Sequence, residues 1–205
     1  MLNTRKINIR DTRGFTMFEL LTVVTIVALI STASISIFGR IRESMRINKQ
    51  TEEIKTEILK AINRAKTGKS SKSKEKKSEF HGVFFDTSQP DKIHSYVRSY
   101  SKGAGFSQKK FSQANSQAVD LFPGIEIKEI KVANTTEEDF LSKGIEISGG
   151  ELSLVFAPFG EPIEAFDSIS SISFSENEIL VIKVSSYLYE KYILIDVLNA
   201  KIKIK

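Results

Sequence analysis

Cysteine and tryptophan are absent from this chain of 205 residues, histidine occurs only twice, and there are four prolines. Without cysteine there are no disulfides, thiolate zinc sites, iron–sulfur clusters or cysteine nucleophiles, so an exported domain of this composition must hold together by core packing. The two histidines, His81 and His94, fall on separate predicted strands at no spacing that makes a metal or general-base motif. Serines are plentiful, yet no Gly-x-Ser-x-Gly elbow appears. The raw material for catalysis is thin, and the reading is of a non-enzyme without a cofactor. No proline precedes Pro90, so nothing in the first part of the chain forbids an unbroken helix. The net charge of +5 is modest and gathers in the first fourteen residues and in Lys66–Lys77, which does not define a nucleic-acid protein.

The leader, residues 1–14, sets Arg5, Lys6, Arg10 and Arg13 against Asp11. Such a basic start belongs on the cytoplasmic side of a membrane. From Phe15 to Phe38 the chain is apolar, with Glu19 as its single ionisable group and neither proline nor glycine. As a helix this stretch reaches ~36 Å, enough to span a hydrocarbon core of ~30 Å with some tilt. It reads as a membrane helix or a signal sequence. An ordinary secretory signal would use Ser31-Thr32-Ala33 as its cleavage site. That alternative and a plain anchor both leave Glu19 unexplained, since a carboxylate costs up to ~2.5–3.5 kcal/mol at a bilayer centre. Cleavage after Gly14 would explain it. Phe15 would then carry a new amine, and Glu19, one turn away, would meet that amine or one on a neighbouring subunit, acting as a register device.

The run Gly14-Phe15-Thr16-Met17-Phe18-Glu19-Leu20 resembles the motif of the type IV pilin and type II secretion pseudopilin superfamily: a short basic leader, glycine, phenylalanine, threonine, two apolar residues, glutamate and leucine. The resemblance implies cleavage between Gly14 and Phe15 by a membrane prepilin peptidase, N-methylation of Phe15, and assembly through Glu19. It implies as partners the peptidase, other pilin or pseudopilin subunits, the inner membrane and a filament assembly platform.

Beyond Gly39 the helical spacing continues through Ile41, Met45, Ile54, Ile58, Ile62 and Ala65, broadened by Leu59 and Ala61. One helix from about Phe15 to Lys66 is expected, its first half in the membrane and its amphipathic second half, residues 39–66, packed on a domain. An independent amphipathic helix on the membrane surface is the alternative. Residues 67–79 form a Lys/Ser-rich loop without an apolar side chain. Its Gly68-Lys69-Ser70 is the end of no P-loop, because a helix precedes it and Asn63 stands where the first glycine would be. Lys69, Lys72, Lys74, Lys76 and Lys77 are candidates for contact with nucleic acid or a surface, though a basic run without interleaved aromatics reads first as a soluble loop.

Residues 80–205 read as β-rich. Expected strands are 80–86, 93–100, 125–132, 144–148, 151–156, 170–174, 179–185, 191–197 and 201–204, several alternating cleanly as in GIEIKEIKV and AKIKIK. Segment 101–120 is expected to be irregular. The fold class is α+β: a long N-terminal helix, transmembrane in its first half, packed on a C-terminal antiparallel β-sheet domain in a pilin-like lollipop. The order of helix, HGVFFD, LVFAPFGEPI and YILIDVLNAKIKIK is similar to the H-type (GspH/FimT-like) minor pseudopilins, with Phe156, Pro158 and Gly160 preceding the last strands. Glu161, Glu164, Asp167, Glu176 and Glu178 are oxygen donors of the kind calcium uses, but linear spacing shows no convergence and no metal site is assigned. The leading reading is a structural filament subunit of the bacterial inner membrane, single-pass, N-terminus in the cytoplasm and C-terminal domain exported. The alternatives are a membrane-anchored DNA-uptake or adhesion module using the Lys-rich loop, and an exported enzyme. Pilus, secretion pseudopilus and competence filament share this N-terminus, and minor and major subunits are not told apart.

Overall fold

A computed structural model describes residues 15–67, 78–100, 111, 116–136, 141, 143–156, 163–167 and 171–205. The chain divides into two compact units, Met1–Ile41 and Arg42–Lys205. One helix, α1 (Met17–Thr67, 51 residues), belongs to both, and it continues through Gly39 as the absence of early prolines allows. Eleven strands follow among the described residues: β1 (Ser78–Asp86), β2 (Lys92–Tyr100), β3 (Ser116–Asp120), β4 (Glu126–Asn134), β5 (Ile145–Glu146), β6 (Glu151–Phe156), β7 (Glu164–Phe166), β8 (Ser171–Ile172), β9 (Glu178–Ser185), β10 (Glu190–Asp196) and β11 (Lys201–Ile204). They form two antiparallel sheets, a six-stranded one in the order β3-β2-β1-β6-β7-β8 and a five-stranded one in the order β11-β10-β9-β4-β5. The class is α+β.

The strand period of two explains how the core is shared. On β1, Val83 and Phe85 enter the main core while Phe80 and Phe84 point to the opposite face. The main core joins both sheets to the second half of α1 through Ile47, Ile54, Ile58, Ala61, Ile62 and Ala65. A buried isoleucine contributes ~1.5–3 kcal/mol, so this stripe fixes the helix to the strands. The stripe departs from expectation at its start: Ile41 and Met45 are exposed, and Ile47, Gln50 and Thr51 are buried in their place. Gln50 tolerates burial because its Oε1 accepts the Phe122 N–H at 2.8 Å, and Thr51 donates its hydroxyl to the Ile47 carbonyl.

The outer face of the six-stranded sheet carries a smaller aromatic cluster, Phe80, Phe84, Tyr96, Val155 and Phe166, onto which Phe111 stacks. Tyr96 and Ser153 share a buried hydrogen bond there, and burial pushes the Tyr96 phenol up to about 12. Gly82 leaves room for the ring, since a Cβ at that position would lie 2.3 Å from Tyr96. Two strands fall outside expectation. β3 lies within the stretch expected to be irregular, and it is an exposed edge strand held by backbone pairing to β2, so its sequence carries little apolar alternation. β7 is three residues long, too short for any period to show.

Candidate membrane and assembly segment

The first described residues build the start of α1. Thr16 is the last residue before the helix and Glu19 lies in its first turn. The Thr16 N–H donates to Glu19 Oε2 at 2.8 Å, and the Glu19 N–H donates to Thr16 Oγ1 at 3.2 Å. This reciprocal pair is a capping box, which satisfies two backbone donors that every helix start leaves free. The threonine hydroxyl adds a third bond to the same Oε2, at 3.0 Å. Oε1 accepts no hydrogen bond from a described residue. Glu19 therefore has a local structural role that the charge-pairing argument overlooked, although the signature, Thr-x-x-Glu ahead of an apolar run, was open to view in the sequence.

Downstream, the helix is apolar on all sides. Met17, Phe18, Leu20, Leu21, Val23, Val24, Ile26, Val27, Leu29 and Ile30 are all exposed, and none of the apolar stretch is buried inside the chain. Five of the polar side chains within it are internally satisfied: Thr22, Thr25, Ser31, Thr32 and Ser34 each donate to the carbonyl four residues back, at 2.7–2.8 Å. Such back-bonding lets hydroxyls sit in an apolar surrounding without an unpaired donor. α1 is long and apolar enough to cross a membrane, and it stands near the N-terminus. Phe15, two residues ahead of the helix, is 86% exposed.

Other candidate residues do not assemble with this segment. Gly14 and the five candidate lysines, Lys69, Lys72, Lys74, Lys76 and Lys77, lie outside the described residues, as do Pro158, Gly160 and Glu161. His81 on β1 and His94 on β2 point to opposite faces of the six-stranded sheet, in line with their separation in register. His81 is 8% exposed, and burial pushes its imidazole below the usual value; Glu79 pulls it up and Arg64 pushes it down. His94 packs beside the stacked pair Phe84 and Phe111, its ring tilted against both, with Nδ1 unpartnered among the described residues. Among the described residues no three His, Asp or Glu side chains converge to hold a metal ion. Comparison with protein-family models, with curated proteins and with solved structures finds no match for the chain.

Proposed function

We propose that the protein is a structural, non-enzymatic subunit of a type IV pilus-like or type II secretion filament, a minor pilin or pseudopilin cut between Gly14 and Phe15 and assembled through α1. The supporting observation is a conjunction: the Gly14–Leu20 motif precedes a helical stretch whose large apolar side chains are exposed, with none of them buried among the described residues. An apolar surface of that extent needs a cover. Before assembly the cover is lipid. In a filament, lateral packing of neighbouring helices replaces lipid with protein, and Oε1 of Glu19, unpaired among the described residues, meets the amine of a neighbouring Phe15 while Oε2 keeps its capping bonds. The basic leader holds the N-terminus in the cytoplasm by the positive-inside rule, which leaves the β-rich unit on the exported side of the bacterial inner membrane.

The test is the processing site. Protein made beside a prepilin peptidase should give, by mass spectrometry, a chain beginning at N-methylated Phe15. A chain beginning at Ser34 would mean ordinary signal cleavage and would overturn the filament reading.

A further inference from the structure

β4 ends in a turn whose hydrogen bonds are divided between two threonines. Asn134, the last residue of β4, pairs with Glu178 at the start of β9. Thr135 continues that contact, its N–H and its hydroxyl both donating to the Asn177 carbonyl, at 2.8 and 3.0 Å. Thr136 instead donates twice to Asn134: its N–H at 3.0 Å and its hydroxyl at 2.8 Å reach the same Oδ1. A backbone N–H can only donate, so the atom it meets is the oxygen, and the orientation of the carboxamide follows. Nδ2 is left outside the turn, and no described residue accepts a hydrogen bond from it. Asn134, Thr135 and Thr136 are all exposed.

The turn itself asks for less than asparagine supplies. An aspartate would accept both bonds from Thr136 as well, since either side chain closes a turn of this kind. What asparagine adds is an amide nitrogen that the turn does not use. Asn199, in the turn between β10 and β11, is the contrast: its Nδ2 donates to Asp196 Oδ2 at 2.8 Å and is occupied. Asn134-Thr135-Thr136 is also the one place in the chain where a serine or threonine stands two residues after an asparagine, the acceptor pattern for an N-linked sugar in the surface of an exported protein. The geometry suits that chemistry. An amide nitrogen is a weak nucleophile, because its lone pair is delocalised into the carbonyl. As Nδ2 gives up a proton, negative charge gathers on Oδ1, where the two donors of Thr136 already stand.

We infer that Asn134 is a glycosylation site, its Nδ2 taking a sugar from a donor in which the sugar is joined through pyrophosphate to a membrane lipid. Nδ2 attacks the anomeric carbon, and a C–N bond forms as the C–O bond to the pyrophosphate breaks. The electron pair leaves with the pyrophosphate, and the Nδ2 proton passes to a base of the transferase. The inference rests on the exported position proposed above for the β-rich unit, and the experiment separates the two. Full-length protein is purified from membranes of the cell that makes it and cut with trypsin, which releases residues 132–143 as one peptide. Mass spectrometry should find a hexose or N-acetylhexosamine glycan on Asn134 of that peptide. Asn134→Asp keeps the oxygen that Thr136 binds, so it should lose the glycan completely with the thermal midpoint unchanged. Thr136→Ser should keep the glycan and Thr136→Val should lose it. Export is read independently: the chain has no cysteine, so Tyr187→Cys, at a position 93% exposed, gives a single thiol for a membrane-impermeant maleimide added to spheroplasts. Labelling with an unmodified 132–143 peptide overturns the inference and leaves the exported position intact. No labelling and no glycan overturns both. A glycan that persists in Asn134→Asp would sit on another residue and would overturn the assignment to Asn134.

Discussion

At the scale of the residue, Glu19 has two separable jobs, one read from its bonds and one proposed. Its carboxylate accepts the Thr16 N–H and so caps α1. Its charge, in the filament reading, sets subunit register. Glutamine fills the same position in capping boxes without carrying charge. Glu19→Gln should therefore keep the helix start and membrane insertion while losing incorporation into filaments. Glu19→Ala should also lose the bond back to the Thr16 N–H, one half of the capping box, at about 0.5–1.5 kcal/mol, while Thr16 Oγ1 still accepts the residue-19 N–H. Membrane fractionation reads insertion, and a filament-shear or subunit-pulldown assay reads assembly. If Glu19→Gln assembles like the parent and only Glu19→Ala fails, the carboxylate acts as a cap and the charge-pair role is wrong. Neutralising the group also removes a desolvation cost from the span, so insertion should be no weaker in either variant.

At the scale of the element, His81 on β1 titrates under the influence of the last turns of α1. Burial disfavours the charged form of His81, and Arg64 on the helix adds to that, against the pull of Glu79. A folded pKa below the unfolded value means that the unfolded chain takes up the proton first. The contribution to stability is complete above the unfolded value of ~6.5 and is lost as the pH falls from there through the lower folded value. The unfolding midpoint of the parent should therefore drop between pH 7 and 5 more steeply than that of His81→Gln, whose side chain does not titrate. Parallel profiles would show that His81 is not linked to folding. Sequence periodicity reached many of these elements, because strands such as β4, β10 and β11 alternate enough to show which face turns inward. It missed β3 and β7, where pairing of the backbone replaces alternation of side chains. It also misplaced the start of the helix stripe, because a glutamine that satisfies a distant N–H looks, in one dimension, like a surface residue. Of the candidate site, the apolar run and its glutamate are readable in the sequence, whereas the bonds that Glu19 makes to Thr16 become explicit only in the folded helix start.

At the scale of the whole molecule, the two units meet different needs. The main core starts at Ile47, and among the described residues the buried hydrophobic side chains all lie in Arg42–Lys205. The apolar stretch before it contributes no buried side chain to that core and would be a liability in water. A chain beginning at Arg42 should accordingly fold by itself, remain in the soluble fraction at high salt, and lose stable membrane association. The turn of α1 ahead of Ile47 should fray in such a chain, but Glu43 then lies near the new helix N-terminus, where a carboxylate is favourable. The thermal midpoint should fall by less than ~4 °C relative to the full chain in detergent, which is about 1 kcal/mol for a domain of this size. Differential scanning calorimetry reads the midpoint and sedimentation reads the partition. Loss of a cooperative transition would mean that the apolar segment takes part in the fold, so that its exposed side chains are not reserved for lipid or for other subunits. Retention of the transition together with continued membrane binding would instead place a second anchor within Arg42–Lys205.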